Sequence, residues 1–354
     1  MLRALLVISF VSLNAGAVSL VQAQRRPPVL RGSEARPASA PTTQNETGTQ
    51  PQEVEENGVV RVSTSLITVP AVVMDRNGRY IGNLRKEDFR IFEDGVEQQL
   101  TYFAPVEKPF TVALLLDVSG STQSQLAQIR EAANTFVSRL RMNDRLMAIT
   151  FDGRMNVLTQ PEKVSVIRQG KLHIPAVKDG TVLYDTVDFA LKRMAQIPGR
   201  KAIVLMSDGV DQDSRTSMQQ TLEGIAEQDV LLYTVRYNTL PQLPERLSAI
   251  KDEKARRKVR ERLLKGYAVS EPYLRTLAEK TGGRFYRADD LREVGPAFEA
   301  ITSELGVQYS LGYYSKQPST ANGERAIKVR VRFPNLVVRT RDSYSTTPAI
   351  ASKD

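Results

Sequence analysis

The chain has 354 residues and a formal net charge of +9, from 49 Lys and Arg against 40 Asp and Glu. It contains no cysteine, which excludes disulfide scaffolds, zinc ribbons, thiol nucleophiles and iron–sulfur sites. A single histidine, His173, leaves little basis for Ser-His-Asp catalysis or a multi-histidine metal site. With 41% hydrophobic residues the composition is that of a globular protein of one or two domains, and any metal should be a hard, oxygen-liganded ion.

The first residues have the features of an export signal. Arg3 precedes an apolar stretch at residues 4–13, and Val21 and Ala23 are small residues of the kind that a signal peptidase reads. We therefore expect residues 1–23 to be a signal peptide and the protein to be exported to a periplasmic or extracellular space, with no transmembrane segment after cleavage. An uncleaved membrane anchor is less favoured, because the apolar stretch is shorter than the ~20 residues that span a bilayer.

Two further segments lack the apolar residues of a core. Residues 24–58 are rich in Pro, Ser, Thr, Gln, Glu and Gly, and such a composition buries too little surface to offset the entropy of ordering. We expect a disordered linker here, with an ordered extended arm as the alternative, and a short tail at residues 346–354.

Both flanks of the remaining chain carry strand patterns. Residues 59–108 contain apolar alternations around an Asn-Gly pair at 77–78 and an Asp-Gly pair at 94–95, which are strong hairpin turns. After the second turn the pattern predicts one strand over 96–103. Residues 307–345 contain further strand-like runs. Since neither flank has enough strands for a stable sandwich by itself, we expect both to form one flanking β domain.

The central residues 109–306 have an α/β pattern. Near-continuous apolar runs, typical of strands buried on both faces of a parallel sheet, occur at 111–116, 146–151, 202–206 and 230–235. Amphipathic helical patterns lie between them. The sequence therefore predicts a doubly wound, mostly parallel, Rossmann-like α/β domain, in which ligands bind at the carboxyl ends of the strands.

Polar side chains cluster at those predicted strand ends. Asp117, Ser119 and Ser121 follow the first strand at two-residue spacing, Asp208 follows the third, and Thr181 precedes a helix that should begin near residue 183. Two carboxylates and three hydroxyls form an oxygen donor set that suits Mg²⁺ or Mn²⁺. Because neutral hydroxyls supply most of this set, the ion should remain able to attract a carboxylate from another molecule.

The same five residues resemble the metal-ion-dependent adhesion site (MIDAS) of the von Willebrand factor A family, which has the pattern Asp-x-Ser-x-Ser, a distant Thr and a more distant Asp. The resemblance implies that Ser119, Ser121 and Thr181 bind the ion through their hydroxyls. It implies that Asp117 and Asp208 act directly or through water.

The resemblance covers about residues 110–306 and, at the level of a bacterial branch of secreted proteins, extends over both flanks. Residues 308–314 are among those that fit this branch. The residues that we expect to contact a partner at the site are Gly120, Gly180, Tyr184 and Gly209.

Two features have plainer interpretations. Ser121 or Thr122, and separately Thr181, fit ordinary helix N-caps. Residues 251–265 hold eight basic and three acidic side chains, a local charge of +5, which favours a solvated helical insertion over a site for anionic polymer or lipid.

These features together predict an exported, non-enzymatic adhesion or interaction protein whose Mg²⁺ or Mn²⁺ captures an exposed Asp or Glu of a partner protein. No nucleic-acid partner is expected. One alternative is a structural component of the cell envelope with a stabilising metal. A magnesium-dependent hydrolase is less favoured, because Ser119 replaces the second Asp of a DxD pair and neither a Walker loop nor Gly-x-Ser-x-Gly is present.

Overall fold

The computed structural model of the chain describes residues 66–170, 172–175, 180–289, 291–316 and 323–345. The predicted signal peptide, linker and C-terminal tail lie outside these ranges, as do the first residues of the predicted N-terminal flank.

Within the described residues the chain forms fourteen strands and seven α-helices. The strands are β1 (Leu66–Asp75), β2 (Phe89–Glu93), β3 (Val96–Gln98), β4 (Leu100–Ala104), β5 (Thr111–Asp117), β6 (Arg145–Phe151), β7 (Met155–Lys163), β8 (Lys201–Ser207), β9 (Leu231–Tyr237), β10 (Phe285–Ala288), β11 (Tyr309–Tyr314), β12 (Glu324–Val331), β13 (Leu336–Thr340) and β14 (Ser343–Ser345). The helices are α1 (Leu126–Arg139), α2 (Val164–Gly170), α3 (Leu183–Ala195), α4 (Met218–Ala226), α5 (Leu243–Ser248), α6 (Glu253–Lys280) and α7 (Val294–Leu305).

The central sheet has six strands in the order β10-β9-β8-β5-β6-β7. The pairs from β10 to β6 are all parallel, and only β7 runs antiparallel, to β6. Every residue of β5 and β8 is buried, as expected for strands covered by helices on both faces. The predicted doubly wound, mostly parallel α/β fold is confirmed.

The edge strand β7 has no counterpart in the sequence prediction. Most of its residues are exposed or half-buried, and it contains Pro161, which cannot donate a ladder hydrogen bond. Both features are tolerated at a sheet edge. They also leave the strand without the apolar run by which the other strands were predicted.

Helices cover the two faces of the central sheet with separate cores. On one face α1 packs against α7, where the rings of Phe136 and Phe298 lie 5.0 Å apart between centroids. On the other face α3 and α6 contribute Leu183, Leu191 and Leu277 to a second core. Connecting loops, and not helices, lie at the carboxyl ends of the strands. The polar motif residues are in or next to these loops.

The two flanks of the chain pair with each other. One antiparallel sheet has the order β13-β1-β11-β4, with Leu66 opposite Tyr314, and a second has the order β14-β12-β2-β3. Both sheets contribute to one apolar core, for example through Val69 of β1, Tyr309 of β11 and Ile91 of β2. The flanking antiparallel β structure built from both ends of the chain is therefore present. The domain boundaries inferred from the sequence stay predictions.

The prediction of a single strand over 96–103 was wrong, because the structure has two strands there. The chain forms β3 and β4, which belong to different sheets and are separated at Gln99. A period-two pattern reports which residues face a core, but it carries no information about which sheet a strand joins.

Among the described residues no helix has the length and the apolar character needed to cross a membrane.

Candidate metal centre

Asp117 is the last residue of β5, at the carboxyl end of the central sheet. Its side chain is fully buried. One carboxylate oxygen, Oδ1, accepts a hydrogen bond from the backbone N–H of Ser119 at 3.0 Å, and Oδ2 accepts from the hydroxyl of Ser207 at 2.7 Å. Donors from two adjacent strand ends therefore hold this carboxylate in one orientation.

The hydroxyl oxygens of Ser119 and Ser121 lie 3.0 Å apart, and both side chains are buried. The chain turns after Ser119 into a 3₁₀ segment, Gly120–Gln125, before α1 begins. Ser119 makes no side-chain capping bond at this segment, and the N-cap of α1 is Gln125. The helix-cap alternative for Ser121 is therefore not what the structure shows, because its hydroxyl faces Ser119.

Asp208 directly follows β8 and is also buried. Its Oδ1 accepts from the backbone N–H of Val210 at 3.0 Å, and its Oδ2 accepts from the hydroxyl of Thr239 at 2.5 Å. Burial raises the pKa of Asp208, and the side chains of Thr239 and Ser121 are close enough to offset part of the increase. The structure thus joins Asp117, Ser119, Ser121 and Asp208 into one buried cluster.

Thr181 lies on the neighbouring loop, two residues before α3, and is buried. Its backbone carbonyl accepts from the N–H groups of Gln212 and Asp213, both at 3.0 Å, so it is tied to the loop that follows Asp208. Its hydroxyl is approached by Nε2 of Gln212 at 3.4 Å. The N-cap of α3 is Val182, so Thr181 does not cap this helix.

The electrostatics of the cluster favour a cation. Burial, and then the nearby charge of Asp208, raise the pKa of Asp117 to about 7, although hydrogen bonds from Ser119 and Ser207 lower it in part. Burial also raises the pKa of Asp208. Within the described residues neither carboxylate forms an ion pair, and the positive charge of Arg246 on α5 offsets only part of the increase in the pKa of Asp208. Two buried carboxylates are costly unless positive charge compensates them.

The donor chemistry fits a hard divalent cation. All donors in the cluster are oxygens, and oxygen ligands are the set that Mg²⁺ selects. Among the described residues no group of three or more His, Cys, Asp and Glu side chains is placed to hold a metal, so an ion bound at this cluster would need hydroxyls to complete its coordination.

The sequence patterns did not identify the residues that hydrogen-bond around Asp208. The hydroxyl of Thr239, two residues after β9, also contacts the hydroxyl of Tyr267 on α6 at 2.7 Å. The hydroxyl of Tyr237 lies 3.5 Å from the backbone carbonyl of Asp117. Examining every predicted strand end for polar residues, instead of only the ends that fit the motif, would have found Thr239.

The four residues expected to contact a partner differ in exposure. Gly120 and Gly180 are half-buried at the surface of the site. Gly209 is buried, with φ +79°, and a Cβ there would lie 2.8 Å from Cβ of Ser270. Tyr184 packs edge-on against Tyr273, with 5.0 Å between ring centroids. Gly209 and Tyr184 thus lie where loops pack against helices. Gly180 is half-buried and also closely packed, since a Cβ there would lie 2.8 Å from Cα of Gly153.

Comparisons with known proteins bear on this arrangement. The model of the von Willebrand factor type A domain matches residues 112–210, which contain all five predicted ligands. No curated protein matches the chain.

Several solved structures are similar to this chain at low identity. BatB from Bacteroides thetaiotaomicron is 18% identical, with 56% of this chain and 97% of that chain covered and a TM-score of 0.40. A von Willebrand factor type A protein from Catenulispora acidiphila is 10% identical, with coverage of 80% and 74% and a TM-score of 0.42. Proximal thread matrix protein 1 from the mussel byssus, with a zinc-occupied MIDAS motif, is 13% identical, with coverage of 61% and 50% and a TM-score of 0.41.

The family match spans β5 to the residues just after β8 and therefore includes the strand ends on which the buried cluster is built. Residues 112–210 of this chain therefore match the von Willebrand factor type A domain.

Proposed function

We propose that this protein binds Mg²⁺ or Mn²⁺ and uses the ion to capture an exposed Asp or Glu of a partner protein. The ligands are Asp117, Ser119, Ser121, Thr181 and Asp208. The observation that carries the proposal is the cluster itself: two buried carboxylates and two adjacent hydroxyls meet at strand ends, and neither carboxylate has an ion pair among the described residues.

The hydroxyls in the cluster are available to an ion. Ser119 and Ser121 cap no helix, and their oxygens lie side by side. Asp117 and Asp208 accept bonds from protein donors that orient them, and each carboxylate oxygen keeps a further lone pair for the ion or its water.

The charge of the site supports an acidic partner. Three of the five ligands are neutral, so the two carboxylates at most balance the charge of a divalent ion. When bound, the ion supplies a positive position that attracts a carboxylate from outside. Gly120 and Gly180, at the surface of the site, are the places where the partner's backbone can approach.

The proposal is a binding function without catalysis, for an exported protein. Ser119 stands where a DxD phosphoryl-transfer site has its second Asp, so the pair of nucleophile and acid is incomplete. Export rests on the signal-like residues 1–23, and intact-mass measurement of protein from the envelope or medium should find Gln24 as the first residue.

The test is a calorimetric titration with Mn²⁺ and Mg²⁺ of the wild-type protein and of Asp208→Ala. Asp188→Ala is the matched control, because Asp188 lies on α3 and pairs at its surface with Lys192. We expect ion binding in the wild type and the control and its loss in Asp208→Ala. Ion binding that creates no affinity for a peptide containing one Asp would support the structural alternative, and metal-dependent hydrolysis abolished by Asp117→Ala would support the enzyme.

A further inference from the structure

The basic tract 251–265 includes the exposed start of α6, which begins at Glu253. Between Glu253 and Arg262 no residue is buried, whereas Leu263 and Tyr267 are. The basic side chains of this tract are Lys251, Lys254, Arg256, Arg257, Lys258, Arg260, Arg262 and Lys265. Of these, only Arg262 forms an ion pair within the described part of the chain, with Asp213 at 3.9 Å.

The rest of α6 attaches this tract to the candidate metal centre. Tyr267 reaches Asp208 through the hydroxyl of Thr239. A Cβ on Gly266 would lie 2.8 Å from Val210, which is two residues after Asp208, so helix and loop are in close contact. The tract therefore projects from the edge of the site on a helix that packs directly against it.

At the base of the tract, Arg262 binds the loop that holds Thr181. Its guanidinium donates to the backbone carbonyl of Gln212, and the backbone N–H of Gln212 donates to the carbonyl of Thr181. The neighbouring Asp213 is half exposed, and Arg262 offsets its charge at the rim of the site.

The tract carries more positive than negative charge. Three like-charged pairs at i,i+4 repel, and Arg257 is attracted to Glu253 and Glu261 at the same spacing, which leaves most of the basic side chains without an acidic neighbour on the helix. No residue of the first three turns is buried, so these basic side chains face solvent. A polyanionic ligand would relieve the repulsion, because it supplies the negative charge that the helix lacks.

The dimensions match a short peptide segment. At about 1.5 Å per residue, Arg262 and Lys254 are separated by about 12 Å along the helix. An extended polypeptide covers this distance in about four residues at about 3.3 Å each. A run of about four extended residues can therefore place carboxylates along the tract from Arg262 to Lys254.

We propose that the metal centre and the basic tract 251–265 bind one acidic segment of a partner protein, with one Asp or Glu at the ion and a cluster of further Asp and Glu along the start of α6. This inference rests on the proposed function. It adds that the partner's acidic residue lies within an acidic sequence and not in isolation.

The test uses two synthetic 13-residue peptides of Gly and Ser. The first carries one central Asp, and the second carries in addition Glu three, four and five residues away on both sides. Their binding is measured with Mg²⁺ or with EDTA, at 0.05 and 0.3 M NaCl. The tract variant is Lys254→Ala/Lys258→Ala/Arg257→Ala. Its matched control, Lys86→Ala/Lys108→Ala/Lys328→Ala, removes the same charge from exposed lysines outside the tract.

In Mg²⁺ and low salt we expect the wild-type protein to bind the Glu-containing peptide roughly tenfold more tightly than the single-Asp peptide, with an advantage that shrinks at high salt. The tract variant should reduce this advantage to about twofold or less while keeping the Mg²⁺ dependence of both peptides. The control variant should keep the advantage. Near-UV circular dichroism verifies that the variants are folded.

The outcomes separate the two proposals. If neither peptide responds to Mg²⁺ or to Asp208→Ala, the proposed function fails. If both respond but the Glu residues add nothing, or if the tract variant and the control lose the advantage equally, only the present inference fails. Binding of the wild type, but not the tract variant, to phosphatidylglycerol vesicles in EDTA, together with no advantage for the Glu-containing peptide, would identify a membrane surface and overturn the assignment to a protein partner.

Discussion

The hydroxyl of Thr239 donates a 2.5 Å hydrogen bond to Oδ2 of Asp208, although the two residues are 31 positions apart in the chain. Thr239 follows β9 and Asp208 follows β8, and these strands are parallel neighbours in the central sheet. The sheet therefore places the hydroxyl of Thr239 beside a predicted metal ligand. Tyr267 of α6 hydrogen-bonds the same hydroxyl.

Replacing Thr239 should weaken metal binding. Thr239→Val keeps the shape of the side chain but removes the donor that orients Asp208, and loss of such an outer partner typically lowers metal affinity by about 10–100-fold. Titration calorimetry with Mn²⁺ measures the effect. Tyr267→Phe retains the Thr239 donor and should have a smaller effect, so equal affinity in Thr239→Val and the wild type would contradict this role.

The stability of the metal-free protein should depend on pH through the buried carboxylates. The pKa of Asp117 is raised by burial, and further by the charge of Asp208, from its ordinary value of 3.8 to about 7. Between these pH values the folded state binds more protons than the unfolded state, so this contribution favours folding at low pH and is lost as the pH rises.

We therefore expect that in EDTA the free energy of unfolding of the wild type decreases as the pH rises from 4 to 7.5. The decrease should be larger than in Asp117→Asn. Mg²⁺ at about 100 times its dissociation constant should add about 2.7 kcal/mol at pH 7.5 and less at pH 5, where protons compete for the carboxylates. Urea denaturation across this range measures both effects. A pH dependence that Asp117→Asn leaves unchanged would exclude this carboxylate as its source.

Glu304 joins the α/β part of the chain to the flanking sheets. It is fully buried on α7 and accepts hydrogen bonds from the hydroxyls of Tyr80 at 2.9 Å and Tyr233 at 2.5 Å, and from Arg339 of β13. Glu304→Ala should cost about 3–5 kcal/mol, because it leaves a largely buried guanidinium without its partner. The measurement is the free energy of unfolding in urea.

Glu299 on the same helix is the control for Glu304. It forms an exposed ion pair with Arg139, with an Oε1–Nη1 distance of 2.7 Å. Since exposed pairs contribute about 0–1 kcal/mol, Glu299→Ala should have little effect on unfolding. Equal losses in the two variants would show that the buried network is not important for stability.

Gly209 should tolerate no side chain, for two separable reasons. Gly209 and Gly78 have nearly the same φ, +79° and +77°, so alanine at either position is strained by about 1–2 kcal/mol. A Cβ at Gly78 meets nothing within 4 Å, whereas at Gly209 it would lie 2.8 Å from Ser270 and 2.9 Å from Leu274 of α6.

Gly209→Ala should therefore destabilise the protein by about 1–3 kcal/mol more than Gly78→Ala, and it should also weaken ion binding, because it pushes α6 away from the loop of Asp208. Urea denaturation and Mn²⁺ titration of both variants check this. If the two variants lose the same stability, the close packing of α6 on this loop is not a constraint.

Local patterns in the sequence were sufficient for the central strands and for the position of the polar motif. Strands β5, β6, β8 and β9 were predicted as near-continuous apolar runs, because burial on both faces of a parallel sheet leaves an unbroken signal in the sequence. The placement of Asp117 and Asp208 at strand ends follows from the same runs. Their role as metal ligands stays a prediction.

Local sequence patterns could not predict features that depend on contacts between residues distant in the chain. Strand β7 is polar and exposed, and its pairing depends on its neighbour β6. The hydrogen bonds from Tyr267 to Thr239 and from Thr239 to Asp208, like the separation of 96–103 into strands of two sheets, exist only once non-adjacent segments pack together. Periodicity reports how a residue is buried, while the partner that buries it is chosen by the three-dimensional arrangement of the whole chain.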